Sequence, residues 1–319
     1  MSEFELIRRY FARPASRPDV LLGIGDDCAL LTVPAHQTLA VTLDMLAAGV
    51  HFAADADPEG IGHKALAVNL SDLAAMGAAP AWATLALAMP RADEAWLEGF
   101  CRGLFALAQR HGVQLVGGDT TRGPLTIAIQ AHGFVPPDAA LRRDGARPGD
   151  VVMITGTPGD AALALAAAQG NAVLPAAYRD YLQARLERPT PRIRQGLDLR
   201  GLASAAIDVS DGLAQDLGHI LERSGVGACL EVERLPRSPA LAASIDPERA
   251  VALMLAGGDD YELCFTVPPT RLAQVRAAAA QWDCPCTAIG VIETAPGLRC
   301  RRGDATPYRL GRSGYDHFV

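Results

Sequence analysis

Two glycines and two adjacent carboxylates, Gly23-Ile24-Gly25-Asp26-Asp27, stand between the apolar runs Val20-Leu21-Leu22 and Ala29-Leu30-Leu31. The order reads as strand, tight turn, strand, with the acids at the turn. Glycine lets the backbone bend there and come close to a bound group. Neighbouring carboxylates repel each other unless water or a cation lies between them. One such turn is ordinary, because Asp favours turns for local reasons. This chain repeats the arrangement at Asp44, Asp72, Gly117-Gly118-Asp119, Asp208-Val209-Ser210-Asp211 and Gly257-Gly258-Asp259-Asp260, each closing an apolar run. The expected fold gathers turns and strand ends from both halves of the chain into one acidic site.

Bulk properties narrow the chemistry. With 319 residues, two domains are expected. A net charge of −7 argues against broad nucleic-acid binding and against an anionic membrane surface. Lys64 is the only lysine, and no Gly-rich run precedes it, so a Walker A loop is excluded. Phosphate chemistry here must rely on metal ions, arginines and backbone N–H groups. The seven cysteines follow neither a disulfide nor a zinc spacing, and Cys284-Pro285-Cys286 is their one close pair. They read as buried or partly buried thiols. The acidic, amphipathic start is not a signal peptide, and no apolar run is long enough to span a membrane. A cytoplasmic location is expected.

Strands and helices alternate along the chain. Ser2 and Glu5 form a capping-box pattern that opens a short helix ending before Pro14. A strand over 37–43 should end at Asp44. Asp57-Pro58 starts an Ala-rich helix that runs to about Met76 and stops at Gly77. It is apolar nearly all round and therefore buried. Further strands are expected over 81–89, 113–116 and 125–135, with an amphipathic helix over 92–110. The polar, Pro- and Gly-bearing stretch from Pro136 to Gly149 marks the boundary between domains at 1–137 and 138–319. Beyond it, strands over 151–154, 205–208, 228–232 and 261–267 alternate with helices over 192–202, 213–223, 247–255 and 269–280. Two or three short strands close the chain. The class is α/β (α+β), in two layered domains.

Asp72 falls in the last turns of its helix, where the helix dipole and desolvation both oppose a carboxylate. Lys64 lies two turns earlier, and a metal ion is the expected compensation. Asp26, Asp27, Asp44, Asp72, Asp119, Asp208 and Asp211 are together read as magnesium chemistry, since that hard ion takes oxygen ligands and keeps several waters. Several such ions would let an acidic pocket hold a polyphosphate. Ser210 is placed either on a nucleotide phosphate or as the N-cap of the next helix. Arg143, His51 and Tyr315 are substrate candidates whose ordinary roles would be a solvated arginine, a structural histidine and a surface aromatic.

Seven ordered motifs, GIGDDCALL (23–31), the segment from Asp44 to Phe52 ending in GVHF, KALAVNLSDLAAMGAAP (64–80), GGDTTRGPL (117–125), AIDVSDGLAQDLGHI (206–220), GGDDYELCFTVP (257–268) and GYDHF (314–318), resemble the thiamine-monophosphate kinases of the PurM-like ATP-binding family. The resemblance implies a two-domain PurM-like fold. Its N-terminal mixed sheet with helices would dimerise through its strands, and its C-terminal domain would be an α/β sandwich. It implies transfer of the ATP γ-phosphate to thiamine monophosphate, giving thiamine diphosphate and ADP. By position it makes Asp27, Thr42, Asp44, Asp72, Asp119, Asp208 and Asp211 magnesium ligands. Gly118, Asp119, Arg143 and Ser210 would contact ATP, and His51, Asp259 and Tyr315 the thiamine phosphate, with Asp26 behind the ligands. A homodimer is implied, with no nucleic-acid or membrane partner. Leu43, His111 and Asp259 depart from the residues common in relatives. Two rival readings are another PurM-type ATP-dependent synthetase and a non-catalytic magnesium–nucleotide-binding module. No cysteine precedes Gly23, which counts against a selenophosphate-synthetase-like chemistry.

Overall fold

A computed structural model describes residues 2–315, in two compact units. One gathers Met1–Leu73 and Ala78–Asp138, the other Ala74–Gly77 and Ala139–Val319. Residues 316–318 of the C-terminal motif lie outside the described residues.

The N-terminal unit opens with α1 (Glu3–Leu6), whose capping box between Ser2 and Glu5 is formed, and a π-helical turn over Ile7–Phe11. A short hairpin of β1 (Val20–Leu22) and β2 (Leu30–Leu31) holds the Gly-Asp turn at its tip. Then come β3 (Thr38–Ala47), α2 (Pro58–Ala75), β4 (Ala79–Met89), α3 (Glu94–Arg110), β5 (Gln114–Arg122) and β6 (Thr126–Val135). The sheet order is β3-β6-β4-β5, with only β4 and β5 parallel. That parallel pair is joined through α3, as a crossover requires. α2 is buried along most of its length, from Ala65 to Ala74, as its all-round apolar sequence implies. α2 and α3 meet backbone to backbone. A Cβ on Gly62 would lie 2.0 Å from the Phe100 carbonyl oxygen, and one on Gly103 would lie 1.8 Å from that of Glu59.

The C-terminal unit holds β7 (Val151–Thr155), α4 (Asp160–Ala168), α5 (Arg179–Glu187), α6 (Ile193–Asp198), β8 (Ala205–Val209), α7 (Leu213–Ser224) and β9 (Gly227–Glu231). It continues with α8 (Pro239–Ser244), α9 (Pro247–Ala256), β10 (Glu262–Val267), α10 (Leu272–Ala279), β11 (Cys286–Glu293), β12 (Gly297–Arg301) and β13 (Pro307–Tyr308). These strands form one sheet, β13-β12-β9-β11-β7-β10-β8, antiparallel except for β9 with β12. Ile154, Ile207, Leu217, Leu230 and Met254 share its core, which is a helix layer packed on a sheet.

Several expectations are corrected. Asp44 lies inside β3, which continues three residues past it to Ala47. Gly117, Gly118 and Asp119 lie inside β5, which carries on through the motif to Arg122 after an irregularity opposite Ala83 and Thr84. The helix expected over 192–202 shrinks to six residues. α8, capped by Ser238 with Pro239 behind it, went unforeseen because six residues leave too short a periodic pattern. β10 starts one residue late because Tyr261 has a left-handed backbone, with φ at 50°.

Candidate active site

In the N-terminal unit the acids are arranged around strand β3 and helix α2. Alternation along β3 turns Thr42 and Asp44 to a half-buried face while Val41, Leu43 and Met45 stay exposed. The Thr42 hydroxyl donates to Oδ2 of Asp72 in a very short bond. Asn69, one turn earlier on α2 and fully buried, accepts the Asp44 backbone N–H at 3.0 Å. Its amide nitrogen donates to the Ala65 carbonyl at 3.0 Å. β3 is an edge strand, so that side chain satisfies an amide that no neighbouring strand covers on that side. Lys64 is buried and reaches the His51 carbonyl at 3.4 Å.

His51 sits in the turn that follows β3. Its Nδ1 accepts the Ala47 N–H at 3.0 Å while its backbone N–H donates to the Ala47 carbonyl at 3.0 Å. A neutral ring that accepts at Nδ1 carries its proton on Nε2.

Asp27 is exposed at the hairpin tip, where its N–H donates to Asp26 Oδ1 at 2.9 Å. The stem of that hairpin is secured by residues the sequence reading passed over. Asp19 receives Arg17 Nε at 2.9 Å and Trp82 Nε1 at 3.0 Å. Gln114 Oε1 receives the backbone N–H groups of Ser16 and Arg17 at 2.9 and 3.2 Å. Asp119 is placed differently from Asp44. Its partners across the sheet are Ala86, then Ala128 and Met45, so it belongs to the face that carries the exposed apolar residues. Gly118 must be glycine, because with φ at 143° its Cβ would lie 1.9 Å from the Leu85 carbonyl oxygen.

In the C-terminal unit three segments distant in sequence are tied together by their backbones. The Asp259 N–H donates to the Ser210 carbonyl and the Tyr261 N–H to that of Val209, both at 2.8 Å. The Tyr315 N–H donates to the Asp211 carbonyl at 2.9 Å, and Gln215 Nε2 donates to the Tyr315 carbonyl at 2.9 Å. Asp208, Ser210, Asp211, Asp259 and Tyr315 are thus neighbours. Ser210 is not the N-cap of α7, a position taken by Gly212. The capping runs the other way: Asp216, in the first turn of α7, accepts the N–H groups of Ser210, Asp211 and Gly212 at 3.0 to 3.1 Å. Burial and then the neighbouring Asp211 push Asp216 up to about 7, against the pull of those three amides. Its sequence signal was an acid on the buried stripe of an otherwise apolar-faced helix. Arg143 is exposed, and its carbonyl accepts from Ser224 Oγ at the C-terminal end of α7, beside the Arg142 carbonyl that accepts the Ala206 N–H at the start of β8.

A buried polar network supports the 257–261 loop. Asp260 is fully buried and accepts the Gly159 N–H at 2.8 Å, and burial raises it well above the usual carboxylate range. Glu262 meets Arg192 Nε at 2.6 Å, Arg185 at 2.9 Å and the Thr155 hydroxyl at 2.7 Å. Burial alone would raise Glu262, but Arg192, and more weakly Arg185, outweigh it and hold it low.

Among the described residues, no three of His, Cys, Asp and Glu converge into a ready-made metal cage. The donors present are hard oxygens of short side chains on rigid elements. They fit a divalent ion that keeps most of its waters and takes phosphate oxygens as further ligands.

Residues 25–135 match the model of the AIR synthase related protein N-terminal domain, and residues 147–302 match that of the C-terminal domain. The chain is 53% identical to the thiamine-monophosphate kinase of Escherichia coli (strain K12), over 99% of this chain and 98% of that one. The crystal structure of thiamine-monophosphate kinase from Stenotrophomonas maltophilia K279a is 50% identical, covers 96% of this chain and 98% of its own, and superposes with a TM-score of 0.89. AaThiL complexed with AMPPCP and TMP is 31% identical over 90% of this chain and 89% of its own, with a TM-score of 0.78. With both domains matched in order and relatives aligned end to end, the chain belongs to the thiamine-monophosphate kinases, a family of two-domain PurM-like proteins within the AIR synthase related group.

Proposed function

We propose that this chain transfers the γ-phosphoryl group of ATP directly to thiamine monophosphate. A phosphorus–oxygen bond forms to the acceptor phosphate as the bond to the ADP oxygen breaks, and thiamine diphosphate results. The carrying observation is the end-to-end likeness to thiamine-monophosphate kinases, together with a neighbour complexed with AMPPCP, an ATP analogue, and TMP. The acceptor is a phosphate oxygen that is already anionic near neutral pH, so the protein need not supply a general base. Its work is positioning and charge neutralisation. That reading favours an enzyme over a nucleotide-binding module.

Magnesium held by Asp27, Thr42, Asp44, Asp72, Asp119, Asp208 and Asp211 would supply the positive charge that the polyphosphate requires. The Thr42–Asp72 bond and the Asn69 clamp support this, because the first holds two ligand oxygens and the second holds the backbone that carries Asp44 before any ion arrives. We assign Gly118, Asp119, Ser210 and Arg143 to ATP. We assign His51, through its Nε2 proton, with Asp259 and Tyr315, to thiamine monophosphate.

The active form in this reading is a homodimer. Val41, Leu43 and Met45 form a stripe on edge strand β3, 52%, 58% and 56% exposed. Such a stripe suits packing against the same face of a second copy. Residues 1–137 would then form the ATP-binding and dimerising domain, and residues 138–319 the second domain. All seven cysteines are free, and no helix among the described residues is long and apolar enough to cross a membrane. We place the reaction in the cytoplasm.

The test is product analysis after incubating the protein with ATP, magnesium and thiamine monophosphate. Equimolar thiamine diphosphate and ADP, abolished by a chelator, is expected. ADP without thiamine diphosphate would point to another acceptor, and bound ATP without turnover to a binding module.

A further inference from the structure

The loop that presents Asp259 is held in an unusual conformation. Asp259 has φ at 65° and Tyr261 has φ at 50°, and neither is glycine. Such a backbone is unfavourable for a residue with a Cβ, and it persists only where the surroundings over-determine it. Here they do. The N–H groups of Asp259 and Tyr261 are both bonded to the β8 end, at 2.8 Å. Between them Asp260 is buried, with its carboxylate on the Gly159 N–H and its carbonyl taking Arg185 at 3.3 Å. Gly258 leaves no room on the other side, since a Cβ there would lie 2.5 Å from the Ser210 carbonyl oxygen.

The loop so held carries a contact between two of its own side chains: the Tyr261 hydroxyl donates to Asp259 Oδ1 at 3.2 Å. Tyr261 is buried and Asp259 half-buried, so the bond links the interior to the site. A phenylalanine would fill the same apolar space. The hydroxyl adds a donor to the Asp259 carboxylate.

We propose that Tyr261 is a positioning residue for Asp259, fixing the orientation in which that carboxylate meets the organic part of thiamine monophosphate. The inference rests on the assignment of Asp259 to the substrate. A carboxylate offers about four acceptor sites, so a phenol donor on one oxygen restricts its rotation without using up its capacity to accept. Ordering the carboxylate beforehand removes a cost otherwise paid at binding.

The test is steady-state kinetics of the full chain with ATP, magnesium and thiamine monophosphate, alongside thermal melting. Tyr261→Phe should raise the KM for thiamine monophosphate about tenfold, the scale of one hydrogen bond to a charged group. The KM for ATP and the melting temperature should stay unchanged. Asp259→Asn, which keeps size and removes charge, should raise the same KM. The double variant should be no worse than Asp259→Asn alone, because one interaction cannot be lost twice. If Asp259→Asn raises that KM and Tyr261→Phe does not, the positioning role falls and the substrate assignment stands. If Asp259→Asn leaves it unchanged, the assignment fails and the inference with it. A lower melting temperature with both KM values shifted equally in Tyr261→Phe would make the hydroxyl merely structural.

Discussion

The two units hold their acids by opposite means. In the N-terminal unit the fixing bonds are made by side chains reaching from helix to strand: Thr42 to Asp72, and Asn69 to the Asp44 amide. In the C-terminal unit the loops are fixed mainly by backbone bonds to one another, over a buried ionic network of Arg185, Arg192, Glu262 and Asp260. The buried polar atoms that lack a partner are divided unequally as well. Among the described residues, Tyr10 OH, His111 Nε2 and His132 Nδ1 lie in the N-terminal unit, and only Arg185 Nε lies in the C-terminal one. The acids of the N-terminal unit therefore depend on individual side chains that can be changed without disturbing the chain path. The C-terminal unit depends on the chain path itself, and its charges bear on folding first and chemistry second.

The strongest way to break this contrast is Asp72→Asn. It keeps shape and should keep the Thr42 contact while removing a charge, so the melting temperature should hold. Turnover should fall by at least about 100-fold, as when a group facing transition-state charge is lost. An Asp72→Asn protein within tenfold of the parent would remove Asp72 from the metal site. Glu262→Gln should do the reverse. It leaves the buried Arg192 and the half-buried Arg185 short of their counter-charge, and denaturant titration should show a loss of about 3–5 kcal/mol. A stable Glu262→Gln protein with a selective catalytic defect would overturn the division of labour.

The smallest expected effect concerns protons. His111 ends α3, where the helix dipole would favour a charged ring, yet burial wins and lowers it to about 4. Above pH 6.5 the ring is neutral in both states and costs nothing. As the pH falls below 6.5 the unfolded chain takes up a proton that the folded chain resists until about 4, so stability is lost across that window. Denaturation midpoints between pH 7.5 and 5 should fall less for His111→Gln than for the parent. Equal slopes would clear His111 of the effect.

Much of the fold was legible because apolar periodicity is a local property. The capping box at Ser2, the start of α2 at Asp57-Pro58 and its end near Gly77 were all readable, and the structure forms them. What failed were readings that treated an Asp or a Gly-Gly pair as the end of a strand. Asp44 and Asp119 sit inside strands because the ladder with β6 and β4 outweighs their poor strand propensity. Ser210 failed as an N-cap because Asp216, one turn into the helix, takes the amides first. The supporting residues Asn69, Asp19, Gln114 and Asp216 were invisible as such. Each is an ordinary polar residue whose partner lies far away in sequence or on the backbone.

The sequence by itself determined the class of chemistry. A chain with one lysine, no Walker loop and repeated Gly-Asp turns can handle phosphate only through oxygen-bound cations, arginine and amides, and its ordered motifs named the family. Only the tertiary structure decided which oxygens are held and by what. Asp44 and Asp119 fall on opposite faces of one sheet, and Asp259 accepts from a tyrosine two residues away in a loop where both have left-handed backbones. Strand register and the sign of φ are set by long-range hydrogen bonds and close packing, and neither is written in the local order of residues.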